Sequence, residues 1–232
     1  FFLFGIFLIY RDLGTLSLAQ IGERVRAVPA LRDAGSVHLA VAALCVGIGV
    51  RTAFIPFHTW LPEAHAYAPH PVSAILSAVL IKVSFFAMIR IQRSFAADYL
   101  NPLFLWTGAI TALLAVINAL SQTDAKRLLA YHSISQMGYV LAVVGMTGAL
   151  SLTASFSHAI NHALFKSLLF LATGTAVQIS GSRNLFKMHG VARTSPLLAA
   201  TFFVGALSIA GLPPWNGYGS KTLISQVMDG NP

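Results

Sequence analysis

The chain has 232 residues, of which 56% are hydrophobic and only 9% are charged, and its mean hydropathy is +0.73. Soluble domains usually carry about 25% charged residues, so this composition excludes an ordinary water-soluble protein. The net charge of +8 does not indicate nucleic-acid binding, because the basic residues lie mostly in short connectors between apolar runs. We therefore expect an integral membrane protein surrounded by lipid, with anionic headgroups near its loops and no nucleic-acid partner.

Apolar stretches of about 20 residues are long enough to cross a bilayer as helices. The first ten residues read as the end of a helix already under way, and the more polar stretch 11–35 is expected at a membrane surface. No alternating strand pattern competes, so the sequence predicts an all-α, polytopic transmembrane bundle. The candidate spans are 37–57, 71–91, 103–122, 133–150, 153–179 and 196–212, followed by a partial helix at 218–228.

Neither end of the sequence looks like a natural boundary. It begins without a methionine or a charged segment leading into a signal peptide, and it ends soon after a new apolar segment has started. The sequence is therefore expected to be a fragment of a longer membrane protein.

Two segments interrupt the helical pattern with prolines and a tryptophan. They are 56–62 (PFHTWLP) and 211–217 (GLPPWNG). Proline removes a backbone donor, and a broken helix is tolerated in a membrane only where protein or a water-filled cavity satisfies the backbone. The second segment predicts a broken helix, since apolar sequence resumes at once. For the first, an interfacial loop with a tryptophan anchor is an equal alternative.

Lys82 is the most informative single residue. It lies near the middle of the predicted span 71–91, about ten residues or roughly 15 Å from either end, which is too far for its side chain to reach the membrane surface. Ionisable groups inside a membrane usually mark an ion path or a buried ion pair. We favour the ion path, because no carboxylate occurs within the six predicted spans.

His158, His162 and Lys166 form a second candidate site, hereafter the His/Lys row. Steps of four residues place them along one stripe of a helix. Imidazole both accepts and donates protons near neutral pH, so the row predicts a proton path bridged by water. Two alternatives remain: histidines spaced by four residues also bind zinc, although no third ligand is present nearby, and histidines also hydrogen-bond between membrane helices.

Arg51 precedes the first proline break and Lys221 follows the second. Arg51 keeps its charge and is expected to act on its neighbours electrostatically, whereas Lys221 is able to relay a proton. Either is also compatible with an anchor at the membrane interface. No phosphate-binding loop, cysteine cluster or nucleophile motif is present, so we expect no cofactor, no metal and no covalent catalysis in this chain.

Several motifs resemble those of the antiporter-like subunits of respiratory complex I. The same family includes related subunits of membrane-bound energy-converting hydrogenases and of multi-subunit sodium/proton antiporters. The motifs are 51–65 (RTAFIPFHTWLPEAH), 71–82 (PVSAILSAVLIK), 123–138 (TDAKRLLAYHSISQMG), 162–171 (HALFKSLLFL) and 211–221 (GLPPWNGYGSK). They extend over nearly the whole chain after residue 45.

The resemblance implies two inverted five-helix repeats, each with one discontinuous helix. Residues 1–36 would then be the end of a preceding helix and a connector, 37–92 the end of the first repeat, and 93–232 most of the second. It also implies that Lys82 lies on the central proton path, that the His/Lys row links two half-channels, and that Lys221 is the ionisable residue at the second helix break.

One departure concerns the first half-channel. The family usually has lysine before the first proline break, paired with a glutamate on an earlier helix, whereas this chain has Arg51 and lacks that earlier helix. A guanidinium stays charged throughout a cycle, so the first half-channel is expected to work differently or to depend on Lys82.

The sequence thus predicts a proton-translocating subunit that couples redox chemistry in partner subunits of a respiratory or hydrogenase complex to proton movement. The prokaryotic cytoplasmic membrane is its expected location. A sodium/proton antiporter without a redox partner and a structural scaffold, in which the polar residues only hold helices together, are the two alternatives.

Overall fold

The computed structural model describes residues 1–230, and its regular elements in that range are helical apart from one isolated bridge between Asp124 and Asn184. The prediction of an all-α protein is therefore confirmed. The α-helices are α1 (Phe2–Leu13), α2 (Leu18–Ala27), α3 (Pro29–Arg32), α4 (Gly35–Thr52), α5 (Trp60–Tyr67), α6 (His70–Ile75), α7 (Ile81–Ser94), α8 (Asn101–Leu120), α9 (Ala125–Gly145), α10 (Ala149–Ser180), α11 (Val191–Thr194), α12 (Pro196–Ala210) and α13 (Asn216–Met228).

Five helical segments are long and apolar enough to cross a membrane, and they correspond to the first five predicted spans. They are Gly35–Thr52, His70–Ser94, Asp98–Leu120, Ala125–Gly145 and Ala149–Ser180. The sixth predicted span forms α12, which has only 15 residues. A further span is obtained if α1 and α2, which are bent by 53° at a short break, count as one.

Two of the larger differences between predicted and observed helix ends have local causes. The span predicted at 37–57 ends at Thr52, because the chain turns there into the proline break and Ala53 adopts a positive φ of 58°. The span predicted at 133–150 begins eight residues earlier, at Ala125. There the Asp124 side chain accepts hydrogen bonds from the backbone N–H groups of Lys126 and Arg127, which makes it a helix N-cap.

The chain divides into two compact units. Unit 1 contains Phe1–Thr52 and Ile81–Asn101, and unit 2 contains Ala53–Leu80 with the described residues from Pro102 onward. In unit 1, α4 packs against α1 and α7. In unit 2, the long helix α10 is central and packs against α6, α9, α12 and α13.

The crossing of α8 and α9 in unit 2 is very close. A Cβ atom added at Gly138 would lie 2.5 Å from the backbone nitrogen of Ala112, and the Ser135 hydroxyl donates a 2.8 Å hydrogen bond to the Ala112 carbonyl. Small residues bring membrane helices this close, and the hydroxyl gives the contact a fixed register.

Cations from unit 2 hold the C-terminal end of α5. Lys126 Nζ donates a 2.5 Å hydrogen bond to the Ala68 carbonyl, and the Arg183 guanidinium donates to the Ala66 carbonyl. Positive charge at the carbonyl end of a helix complements the helix dipole. The neighbouring Arg127 guanidinium also contacts α5, through an ion pair of 2.9 Å with Glu63.

We expect these two neighbouring cations to differ in their effect on stability. Lys126 is buried and bonds a helix-terminal carbonyl, so Lys126→Met should lower the free energy of unfolding by about 1.5–3 kcal/mol. Arg127→Met should cost less than about 1 kcal/mol, because its ion pair with Glu63 is solvent-exposed. Thermal unfolding of the two variants in the same detergent measures the difference, and equal losses would contradict this ranking.

Candidate functional site

The His/Lys row lies on one helix and is withdrawn from solvent. His158, His162 and Lys166 are all in α10, with relative exposures of 1%, 0% and 0%. The two imidazole rings are stacked with centroids 6.4 Å apart. The structure therefore places three titratable groups on successive turns of the central helix of unit 2.

His158 is held at both ring nitrogens by two other helices. Its Nε2 lies 3.0 Å from Oε1 of Gln136 on α9, and its Nδ1 lies 3.0 Å from the hydroxyl of Ser220 on α13. A neutral imidazole has one donor and one acceptor nitrogen. With the Gln136 oxygen accepting from Nε2, Nδ1 accepts from Ser220, and the ring is fixed in one orientation.

Lys166 is anchored at the other end of the row. Its Nζ donates a 2.7 Å hydrogen bond to the Leu129 carbonyl of α9. The same carbonyl accepts a 3.1 Å bond from the Ser133 hydroxyl, which lies 2.9 Å from the hydroxyl of Ser77. A polar chain thus runs inside unit 2 from Lys166 to Ser77.

Ser77 belongs to a π-helical segment, Leu76–Leu80, within the membrane helix His70–Ser94. Single π-turns inside α-helices often occur at functional sites, because they shift the register of the side chains that follow. Lys82 is the second residue of α7, directly after this segment, and belongs to unit 1.

The second helix break is organised around Lys221. Helix α12 ends at Ala210, Gly211 takes a left-handed conformation with φ of 78°, and α13 begins at Asn216. Lys221 Nζ turns back from α13 to donate to the carbonyls of Ile209 and Ala210, at 2.7 and 3.2 Å. An ammonium group therefore satisfies the carbonyls left open where the helix is interrupted, as its dipole favours.

A cavity of about 210 Å³ connects the His/Lys row with the second break. Liquid water occupies about 30 Å³ per molecule, so the cavity has room for several waters. Its walls are mostly apolar, but Gln136, His158 and Lys221 provide polar partners for them. It is lined by Gln136, Tyr139, His158, Lys221, Ile224, Ser225 and Met228.

Arg51 lies in the last turn of α4, in unit 1. It lines a largely apolar groove of about 860 Å³, together with Arg90 of α7 and side chains of α1. The Arg90 guanidinium rests over the Phe86 ring at 5.8 Å. The six candidate residues are therefore divided: Lys82 and Arg51 belong to unit 1, and the other four form the connected site of unit 2.

The α9 side of the site was not predicted from the sequence. The polar groups of α9 at this site are the Gln136 and Ser133 side chains and the Leu129 carbonyl. None of them is ionisable, whereas the sequence prediction was based on ionisable side chains. A usable signal was present, because α9 is the most buried of the five apolar helices and yet carries several polar side chains. Polar groups in a buried membrane helix are costly and usually functional.

The placement of the side chains does not support metal binding by the His/Lys row. Within residues 1–230, no three His, Cys, Asp or Glu side chains are grouped so that they are able to hold a metal ion. Both nitrogens of His158 face an amide and a hydroxyl instead.

Comparison with known proteins agrees with the geometry. The family profile described as NADH:quinone oxidoreductase/Mrp antiporter, TM matches residues 1–230. NADH-quinone oxidoreductase subunit N of Desulforudis audaxviator is 35% identical over 95% of this chain and 44% of its own length. A Na(+)/H(+) antiporter subunit of Alkalihalophilus pseudofirmus is 32% identical over 95% of this chain and 45% of its own.

A solved structure has the same fold. A chain of the Mrp complex from Dietzia sp. DQ12-45-1b superimposes with a TM-score of 0.90 at 30% identity, covering 99% of this chain and 42% of that one. This chain thus spans less than half the length of the relatives it matches. The apolar helices, the interrupted α12–α13 pair and the family match together establish that the chain belongs to the transmembrane family shared by NADH:quinone oxidoreductases and Mrp antiporters.

Proposed function

We propose that this chain is part of a subunit that moves protons across a membrane along the His/Lys row. The observation that carries the proposal is the continuity of the site in unit 2: Lys166, His162 and His158 follow one another on α10, and a cavity continues from His158 to Lys221. Each group is able to take up and release a proton, and water in the cavity would bridge the last gap.

Lys82 and Arg51 are proposed to serve the first half of the same path. Lys82 is expected to exchange a proton, whereas Arg51 is expected to keep its charge and influence its neighbours by Coulomb interaction. The motifs that contain these residues, 51–65 and 71–82, lie within the family match and support this assignment.

The driving event is proposed to come from redox chemistry in partner membrane subunits of a respiratory or hydrogenase complex. The support comes from relatives such as the NADH-quinone oxidoreductase subunit N and from Hydrogenase-4 component B of Escherichia coli. A change of charge at one group alters the protonation of its neighbours in a low dielectric, and so couples distant steps. We place the complex in a prokaryotic cytoplasmic membrane.

A sodium/proton antiporter is the second candidate, because both the Na(+)/H(+) antiporter subunit of Alkalihalophilus pseudofirmus and the Mrp complex chain resemble this protein closely. The chemistry of the row favours protons. Its side chains are imidazole and ammonium groups, whereas Na⁺, as a hard cation, is best held by several oxygen ligands. Helices α9, α10, α12 and α13 carry no carboxylate.

Lys221→Met in the native complex tests the proposal. We expect proton movement into sealed membrane vesicles, followed with a pH-sensitive dye, to fall by about 100-fold, the range for loss of a positioned proton-transfer group. Lys187→Met, at an exposed connector lysine, is the matched control and should transport normally. Wild-type proton movement in Lys221→Met would contradict the proposal, and strict dependence of transport on Na⁺ would favour the antiporter.

A further inference from the structure

We propose that His132 is a second proton relay in unit 2, which connects Lys166 to Lys221 by a route that bypasses His162 and His158. This inference rests on the proton-translocating function proposed above. It adds a residue that the His/Lys row does not contain, and it makes the path between the two lysines branched.

The position of His132 on α9 favours this role. His132 lies on α9 between two residues that already contact the row: the Leu129 carbonyl, which accepts from Lys166, and Gln136, which bonds His158. Positions three and four residues apart on a helix lie on the same face. The His132 side chain therefore leaves α9 on the face that is turned toward α10.

The two lysines lie near the residues that flank His132 on α9. Lys166 Nζ bonds the Leu129 carbonyl, three residues before His132, and Lys221 lines the same cavity as Gln136, four residues after it. These two cations lie at the two ends of the row and cavity. His132 is thus positioned between the start and the end of the path.

One nitrogen of the His132 ring lacks a hydrogen-bond partner. His132 Nδ1 is buried and has no hydrogen-bond partner among the described protein atoms. Buried polar atoms are nearly always satisfied, if necessary by internal water. An imidazole nitrogen left open to water between two lysines is suited to receive or release a proton.

The relay step conserves charge. Lys166 in its ammonium form passes a proton to one nitrogen of neutral His132, which leaves Lys166 as a neutral amine. The imidazolium then releases the proton from its other nitrogen to Lys221, which must be a neutral amine at that moment. Two flanking cations repel a third positive charge, so His132 accepts a proton only as a neighbouring lysine gives one up. The branch therefore responds to the charge on both lysines.

The test compares His132→Gln, His158→Gln and the double variant in the native complex, with proton movement measured in sealed vesicles. Glutamine keeps hydrogen-bonding capacity but cannot carry an excess proton. With parallel branches, we expect each single variant to lose about twofold or less, and the double variant about 100-fold, as for loss of a positioned proton-transfer group. A merely structural histidine would not show this dependence on His158.

The matched control is His189→Gln, which changes an exposed histidine in a connector and should not affect transport with or without His158. If the double variant is no slower than the slower single variant, His132 is not a parallel branch and the inference is overturned. If His132→Gln does not assemble, the comparison is repeated with His132→Asn. Failure of both to assemble assigns His132 a structural role and also overturns it.

Lys166→Met, measured in the same vesicles, separates this inference from the function on which it rests. If Lys166→Met and His158→Gln each block proton movement and the double histidine variant is no slower than His158→Gln, only the branch through His132 is wrong. If Lys166→Met transports normally, the proposed function itself fails.

Discussion

Replacing Lys166 by methionine is expected to lower proton movement by about 100-fold or more, because it removes the only cation of the His/Lys row. Methionine has a similar length and no charge, and Lys166 is fully buried with its ammonium on the Leu129 carbonyl. Unlike the Ala68 carbonyl bonded by Lys126, the Leu129 carbonyl still accepts from the Ser133 hydroxyl when the ammonium is removed, so no buried acceptor is left without a partner. The complex should therefore assemble in normal amount while transport is lost.

The measurement pairs dye-monitored proton movement in vesicles with quantitation of the assembled complex. Lys187→Met, which removes an exposed lysine of the same formal charge, should leave both unchanged. Loss of assembly together with transport would support the scaffold interpretation, in which Lys166 only joins α10 to α9. Unchanged transport in an assembled complex would exclude Lys166 from the path.

Gly217→Ala is expected to destabilise the second helix break strongly. A Cβ atom at Gly217, in the first turn of α13, would collide with the backbone carbonyl oxygen of Ser208 in α12. Backbone atoms cannot move aside as a flexible side chain does, so the penalty should reach or exceed the roughly 3 kcal/mol upper range of overpacking. For a chain of this size, that corresponds to a fall in Tm of about 6–12 °C.

Gly219→Ala is the matched control on the same helix, two residues further on. A Cβ atom there meets nothing within 4 Å, and alanine is favoured over glycine in a helix by about 1 kcal/mol, so this variant should be as stable as wild type or slightly more stable. Thermal unfolding in detergent distinguishes the two. Equal stability of both variants would show that α12 and α13 separate easily, and that Lys221 does not depend on their close contact.

The break also explains why Lys221 is held where it is. Its side chain passes over Gly211, where there is no Cβ to block it, and reaches the last carbonyls of α12. Those carbonyls attract positive charge. A proton leaving Lys221 weakens this interaction, so its protonation and the geometry of the break are expected to change together.

The sequence by itself determined the class of protein, the broken helix and the alignment of three titratable residues on one helix. Composition excludes a water-soluble chain, 20-residue apolar runs require helices in lipid, and steps of four residues place His158, His162 and Lys166 on one stripe whatever surrounds them. The proline-rich segment 211–217 predicted the interruption between α12 and α13, because proline cannot continue the hydrogen bonds of a helix.

Only the tertiary structure decided which groups meet. The contacts of Lys166 with the Leu129 carbonyl and of His158 with Gln136 and Ser220 join residues 22 to 62 positions apart. The cavity brings Lys221 to the same site. Periodicity describes one helix at a time and contains no information on which neighbour it faces. Uncharged partners and backbone carbonyls give no signal in a search for ionisable residues, so the α9 side of the site emerged only when the helices were packed.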